Sequence, residues 1–256
     1  KKGEIIGKLP LRERQTAEVI GSSGLNRLQN AAAAIITLFD KAIEKKLASA
    51  FVSHPGGFAT FVPSELGELS MVSWWRVLRM ITMTIGGKKH GISETSALKC
   101  YDRISDGRAA TLGGCYFSPL MKNRLIKRSE NSSKLVYRVY REVGRTRLTK
   151  SIMGGESKIF SGCWRLKSLE SGLVCALGDL PKFVSGLEKV PIGSNLPDTL
   201  LQLPYKARIA IPVISTLDGG LLYPHFEGGG RVNGSAPFVA RHLGLVRPPK
   251  YALTDK

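Results

Sequence analysis

The residues of this chain that are best suited to chemistry are cations, and the clearest group lies at residues 134–141, where side chains alternate in character. In a strand, alternate side chains point to opposite faces. One face is apolar and is expected to pack on the core; it carries Leu135, Tyr137 and Val139. The other face carries Lys134, Val136, Arg138 and Tyr140. Two cations and a ring suit an RNA backbone, with the ring available to stack on an unpaired base. An ordinary solvated face gives the same pattern, so both interpretations stay open.

Positive charge is concentrated around this segment. The 256 residues include 38 Lys and Arg against 20 Asp and Glu, a net of +18. Residues 1–108 hold 16 basic and 10 acidic residues, a net of +6, and residues 109–256 hold 22 and 10, a net of +12. Residues 122–167 alone hold 13 and 3, a net of +10. Such a local field favours a polyanion, either nucleic acid or an acidic membrane surface, over a basic protein without such a partner.

The candidate nucleic-acid-binding residues are the cations of this region and one ring. They are Arg108, Lys122, Arg124, Lys127, Arg128, Lys134, Arg138, Tyr140, Arg141, Arg145 and Arg147. Carboxylates are sparse here, so a paired acid–base site is hard to build, and no catalytic residue is predicted. The sequence has no GxxxxGK[ST] loop, no HExxH and no G-x-S-x-G, and the glycines at 228–230 fit a turn better than a dinucleotide site. Trp74 and Trp75 are expected in a core or interface.

Other kinds of site are not indicated. The four cysteines, Cys100, Cys115, Cys163 and Cys175, lack the close spacing of a zinc site and fit a reducing cytoplasm. The four histidines form no local cluster, so no metal site is expected. No apolar run approaches the length of a membrane span. The first residues form no signal peptide and include no start methionine. We therefore expect a processed product, an excised piece or part of a longer protein.

The elements that would position these residues change in type near residue 109. Before it, apolar residues recur at helical spacing. The pattern predicts a short helix at 12–20, a break at the glycines and serines of 21–24, and a long helix at 25–50. An extended segment at 58–62 follows. A helix from Pro63 is then expected to stop at Gly86-Gly87, and a last one is capped by Ser93 or Ser96.

After residue 109 the spacing is that of strands. Strands are predicted at 112–117, 124–127, 135–143, 163–169, 173–177, 208–214 and 221–223, with short helices at 180–187 and 196–204. The tail from residue 226 is expected to be loosely ordered. The prediction is an α+β protein with a helical bundle at 1–108 as linker and substrate-binding domain, and a strand-rich, mainly antiparallel, basic domain at 109–256. Two separate cores would meet just ahead of Ala109.

Several short motifs occur in a known order. Arg12-Glu13-Arg14 precedes the long helix, and Arg108 leads into Thr111-Leu112-Gly113-Gly114-Cys115, the most specific of them. A basic strand at 134–142, an aromatic–Ser161-Gly162 element and a turn at 218–224 follow. Together they resemble the region that follows the catalytic domain in bacterial tRNA(Ile)-lysidine synthetases, most closely the alphaproteobacterial ones. The family's usual Asp-Gly-Arg stands here as Ser161-Gly162-Cys163.

The resemblance implies a non-catalytic role within a ligase. Family members bind ATP through an SGGxDS loop in an N-terminal α/β domain, adenylate the wobble cytidine of tRNA(Ile) and displace AMP with lysine. No SGGxDS occurs here, so ATP and Mg are expected only in that catalytic domain, and no cofactor is expected in this chain. The implied partners are tRNA and the catalytic domain of the same protein, in the cytoplasm and without a membrane.

Two further functions remain open. A stand-alone RNA- or ribosome-binding module without enzymatic activity would show the same basic, strand-rich half. A structural protein that binds partners through its helices would use the charge for solubility.

Overall fold

The fold is seen in a computed structural model that describes residues 11–87, 91–120, 135–143, 149–182, 197–217, 220–226 and 238–244. Helices precede antiparallel sheets, which confirms the predicted α+β class. The described part divides into two compact units, and the division lies after Lys45, within the first helix.

Helix α1 spans Leu11–Ala50 as 40 continuous residues. The predicted break at residues 21–24 is wrong. Glycine and serine in a helix interior cost at most about 1 kcal/mol each relative to alanine, and a helix already nucleated on both sides propagates through them. The last turns are held by apolar burial, since Ile43, Leu47 and Ala50 are all buried.

Two further helices follow. Pro63–Leu66 forms only a 3-10 turn, so the helix predicted from Pro63 begins later, and α2 spans Met71–Gly86. It ends where expected, because Gly87 takes a left-handed φ of 66° and donates its N–H to the Met83 carbonyl. Helix α3 spans Glu94–Ser105, and the first of the two predicted caps is confirmed, since the Ser93 side chain accepts from the Ser96 N–H.

Sheet 1 is antiparallel throughout and has the order β1-β2-β5-β4-β3. Its strands are β1 Phe51–Ser53, β2 Ala59–Phe61, β3 Ala110–Leu112, β4 Cys115–Pro119 and β5 Tyr137–Arg141. Helix α2 covers one face, where Trp74 packs edge-on to Phe61 at 6.4 Å and contacts Tyr101 at 4.8 Å. The prediction that Trp74 belongs to a core is confirmed.

The Thr111–Cys115 motif is the tight turn between β3 and β4. Gly113 and Gly114 both have positive φ, 57° and 81°, as a two-residue hairpin turn requires. The turn lies against the end of α2: a Cβ on Gly113 would meet Thr82 at 2.8 Å, and one on Gly86 would meet the Gly113 carbonyl at 2.5 Å. The close packing of the turn on the helix therefore requires glycine at positions 86 and 113.

The domain boundary differs from the one expected ahead of Ala109. Strand β2, from before that position, pairs with β1 on one side and with β5 on the other, in the same sheet as β3 and β4. Tyr137 of β5 also donates its hydroxyl to the carbonyl of Ile104, at 2.9 Å, in the last turn of α3. The two sides of residue 109 therefore share one sheet. The extended segment predicted at 58–62 is confirmed as β2, whereas β1, with three residues, is too short to show a strand period in the sequence.

The remaining strands form two four-stranded sheets. Sheet 2 has the order β11-β10-β9-β6, and sheet 3 has the order β12-β13-β8-β7. Their strands are β6 Lys150–Ile152, β7 Ser157–Phe160, β8 Trp164–Ser168, β9 Gly172–Ala176, β10 Pro212–Thr216, β11 Leu221–Leu222, β12 His225–Phe226 and β13 Phe238–His242. All neighbours are antiparallel except β12 and β13. The two sheets share one apolar cluster, which contains Val174 and Ile214 from sheet 2 and Trp164, Leu166 and Phe238 from sheet 3.

Short helical turns lie between β9 and β10 of sheet 2. They are a 3-10 helix at Leu177–Lys182, α4 at Asp198–Leu201 and α5 at Tyr205–Arg208. The strand predicted at 208–214 therefore begins four residues late, at Pro212. The expected strand at 124–127, the residues after 182 of the helix at 180–187, and most of the tail from 226 lie outside the described residues.

Candidate nucleic-acid interface

The face of sheet 1 away from α2 carries a polar cross-strand row. Register places Thr60, Arg138 and Ser118 side by side on β2, β5 and β4. Arg138 is half-buried and forms no ion pair within the described part of the chain. Its guanidinium and the two neighbouring hydroxyls are all able to donate hydrogen bonds to a phosphate oxygen. The position predicted for Arg138, opposite the apolar face of the strand, is confirmed.

His54 closes one end of this row. Its Nε2 lies 2.8 Å from the Thr60 hydroxyl, and its ring stacks on Phe58 at 4.4 Å. Burial lowers the pKa of His54 below its usual value, and the positive charge of Arg138 lowers it further. The imidazole is therefore neutral at neutral pH, and Arg138 supplies the charge of the row.

A second cation stands over the same face from α5. The Lys206 ammonium lies 3.4 Å from the centroid of the Tyr116 ring, a cation–π contact, and the lysine side chain is exposed. Sequence reasoning missed Lys206, Tyr116, Thr60 and His54. Strand alternation at β4 would have found Tyr116 next to Ser118, whereas the approach of α5 to the sheet is a tertiary event without a local signal.

Tyr140 does not serve as the predicted stacking platform. It is only 6% exposed, its ring lies 6.0 Å from that of Phe58, and Ala207 of α5 packs against it. The face on which Tyr140 lies is thus covered at this end by α5 and the turn after β1. The opposite face of β5 is as expected: Tyr137 and Val139 are fully buried, and Leu135 is half-buried.

Arg141 lies on the internal face, in the same alternation as Tyr137 and Val139. Its Nη1 donates to the Ser161 carbonyl at 3.2 Å and to the Cys163 sulfur at 3.1 Å. These bonds tie β5 to the turn between β7 and β8. Arg141 thus has a structural role through its Nη1, and its predicted contact with RNA stays a prediction.

Arg108 is exposed just after α3 and forms an ion pair with Asp106. A surface pair of this kind contributes at most about 1 kcal/mol, so a phosphate can replace the carboxylate at little cost. The other candidates fall outside the described residues: Lys122, Arg124, Lys127, Arg128, Lys134, Arg145 and Arg147.

A groove of about 300 Å³ lies between α3 and β3. Lys99 and Arg103, one helical turn apart, line it together with the Thr111 hydroxyl. The Nε of Arg103 donates to the Ala109 carbonyl at 2.8 Å, which holds its guanidinium at the groove. None of the lining residues is acidic, so the groove suits an anion.

The thiols do not form a reactive centre. All four cysteines are free and buried. Burial raises the pKa of Cys100 to about 12 and that of Cys175 to about 11, and it raises the pKa of Cys115 and Cys163 as well. Thiols of this kind stay protonated at neutral pH and are poor nucleophiles.

Neither a metal centre nor a membrane span is seen in the ranges that the structure covers. These residues include no group of three or more His, Cys, Asp or Glu side chains arranged to hold a metal ion. No helix among them combines the length and the apolar character needed to cross a bilayer. In comparisons with known proteins, no family model matches this sequence, and no curated protein or solved structure matches it either.

Proposed function

We propose that this chain is the tRNA-binding portion of a tRNA(Ile)-lysidine synthetase, the cytoplasmic ligase that joins lysine to the wobble cytidine of tRNA(Ile) with ATP. The observation that carries the proposal is the net charge of +18, with +10 of it within residues 122–167. Charge of this density attracts nucleic acid through its phosphates, and such contacts dominate affinity. The choice of this particular ligase rests on the resemblance of the Thr111–Cys115 turn and the motifs around it, in their order along the chain, to those of lysidine synthetases.

The described cations support phosphate contacts at two places. Arg138 stands between two hydroxyls on sheet 1, and Lys206 lies above the same face. Lys99 and Arg103 line the groove beside the Thr111–Cys115 turn. Neither place offers an exposed ring with a base-reading pocket, so the contacts proposed here position the tRNA body and leave the choice of base to the catalytic domain.

Helix α1 supports a protein partner. In the first unit its exposed side chains include Leu28, Ile35 and Leu38, at 54%, 67% and 66% exposure. Spacings of seven and three residues place them on one stripe of the helix. An exposed apolar stripe of this length fits an interaction surface, and the catalytic domain of the same ligase is its proposed occupant.

The test is tRNA affinity across a salt series. Arg138→Ala with Lys206→Ala is expected to weaken binding of tRNA(Ile) and to flatten the log–log salt slope by about 2, since each lost phosphate contact removes about 1. The matched control is Lys150→Ala with Lys158→Ala, which removes the same charge from lysines already bonded to the Ile159 and Ser151 carbonyls. Failure of the unmodified chain to bind any tRNA would refute the proposal.

A second assay addresses the ligase. The chain alone is expected to release no pyrophosphate from ATP in the presence of lysine and tRNA, because the phosphate-binding loop is not in this sequence. Tighter binding of tRNA(Ile) after addition of a lysidine synthetase catalytic domain supports the ligase. Equal binding of all tRNAs, unaffected by that domain, supports a stand-alone RNA-binding module instead.

A further inference from the structure

The outward face of sheet 3 carries three exposed cations on two neighbouring strands. Arg165 of β8 and Arg241 of β13 are direct partners in the antiparallel register. Lys167 lies two residues along β8 from Arg165 and therefore on the same face. All three side chains are exposed, whereas the intervening Leu166 is fully buried against sheet 2.

Direct cross-strand partners have Cβ atoms about 5 Å apart, and like charges so placed repel each other. A carboxylate nearby would relieve this repulsion, but the neighbouring strands place none beside these cations. The cross-strand neighbour of Arg165 on β7 is Ile159. The cross-strand row of Lys167 continues through Ser157 on one side and through Val239 and His225 on the other. Within the described ranges, none of the three cations forms an ion pair or a hydrogen bond. The sheet thus keeps two arginines side by side at a cost in stability.

Neighbouring lysines show that the sheet has means to engage cations. The Lys150 ammonium donates to the Ile159 carbonyl at 3.1 Å. The Lys158 ammonium donates to the Ser151 carbonyl at 2.9 Å and pairs with Glu156 at 3.0 Å. By contrast, Arg165, Lys167 and Arg241 leave their donors directed to solvent.

We propose that this face, defined by Arg165, Lys167 and Arg241, binds the phosphodiester backbone of RNA. The inference rests on the proposed function and adds a contact surface that the sequence did not indicate. Two guanidinium groups side by side can each grip a phosphate with two parallel N–H bonds. A membrane surface fits less well, because bilayer binding needs an apolar stripe to insert. The described strand positions of this face are mostly polar or charged, and Ile159 is the one exposed large apolar side chain among them.

The experiment compares Arg165→Ala with Arg241→Ala against the control pair Lys150→Ala with Lys158→Ala in the full chain. The probes are tRNA(Ile) and single-stranded polyuridylate, each across a salt series, with circular dichroism to verify folding. We expect the arginine variant to bind both RNAs more weakly than the unmodified chain, with a log–log salt slope flatter by about 2. The slope of the lysine control is expected to differ from that of the unmodified chain by less than about 1. Arg165→Lys with Arg241→Lys keeps the charge and is expected to keep the slope.

The outcomes separate this inference from the proposed function. If the unmodified chain binds tRNA and the arginine variant matches it in affinity and slope, the face does not bind RNA and the proposed function stands. If tRNA does not bind but polyuridylate does, in a manner that depends on the two arginines, the ligase assignment fails and the face is upheld. If neither RNA binds, or only anionic phosphatidylserine vesicles bind through these arginines, the inference is overturned.

Discussion

Replacing Ser161 by glycine is expected to stabilise this protein, which is unusual for a buried position. Ser161 lies in the turn between β7 and β8 with φ of 58°, and it is the one described residue other than glycine with positive φ. Its side chain is buried, and its hydroxyl has no hydrogen-bond partner among the described residues. The turn is held in this conformation from both sides, since Arg141 donates to the Ser161 carbonyl and a Cβ on Gly87 would meet that carbonyl at 1.9 Å.

Three contributions set the size of the effect. Relief of the left-handed backbone gains roughly 1–2 kcal/mol, and removal of a buried unpaired hydroxyl gains roughly 1–3 kcal/mol. The greater freedom of glycine in the unfolded chain costs about 0.5–1 kcal/mol. The net expectation is a gain of about 2 kcal/mol in the free energy of unfolding, or a Tm higher by about 4–8 °C for a chain of this size.

The assay is urea unfolding monitored by tryptophan fluorescence, with Ser161→Ala as the matched control. Alanine removes the hydroxyl and keeps the backbone strain, so it is expected to gain about 1 kcal/mol, less than glycine. A glycine variant less stable than the unmodified protein would show that the hydroxyl is engaged and that the reasoning is wrong. If the alanine variant were more stable than the glycine variant, the backbone at this turn would not be strained.

Three further outcomes follow from neighbouring features. Gly87→Ala is expected to destabilise the protein by about 3 kcal/mol or more in urea unfolding, because its Cβ would overlap the Ser161 carbonyl at a left-handed φ. Arg241→Ala is expected to raise the free energy of unfolding by about 0.2–1 kcal/mol as it weakens RNA binding, since it removes the repulsion with Arg165; a loss of stability would contradict this. Burial, with the charge of Arg141, lowers the pKa of His242 to about 4. The imidazole of the unfolded chain, with a pKa near 6.5, takes up a proton first, so the free energy of unfolding falls by about 3 kcal/mol as pH falls from about 6.5 to 4. The His242→Phe variant should lose about 3 kcal/mol less than the unmodified protein between pH 7 and pH 4. An unchanged pH dependence in that variant would refute the role of His242.

Local signals in the sequence predicted the parts of the fold that local physics determines. Gly87 ends α2 because a left-handed residue is needed there, and Ser93 caps α3 because its side chain accepts a backbone N–H. The turn after β10 was predicted from its glycines, and the pairing of Ser215 with Leu221 confirms the hairpin. Each of these features depends on contacts within a few residues, so the sequence alone is sufficient.

Features that depend on distant pairing were not predictable in this way. The extended segment at 58–62 was predicted, but its partners were not: β2 pairs with β1 on one side and with β5 on the other. The pairing of β2 with β5 places residues from both sides of position 109 in one sheet, although the change from helical to strand spacing had predicted two separate domains there. Tyr140 has the strand position of an exposed ring, but α5 and Phe58 cover it from elsewhere in the chain. No spacing within residues 134–141 contains that information.

The candidate site shows how charge and alternation must be combined. Net charge indicates a polyanion but treats Arg138 and Arg141 as equivalent. They lie three residues apart on β5 and therefore on opposite faces. Arg138 lies between two hydroxyls on the face of sheet 1 away from α2, and Arg141 donates to the Ser161 carbonyl on the opposite face. The alternation that predicts a buried Tyr137 and Val139 already assigns Arg141 to the interior. Extended to sheet 3, the same rule places Arg165 and Arg241 together in solvent, where no ion pair with a described carboxylate relieves their repulsion. Under the proposed function, the basic residues expected to contact RNA are therefore those that the sheet register leaves without an internal acceptor.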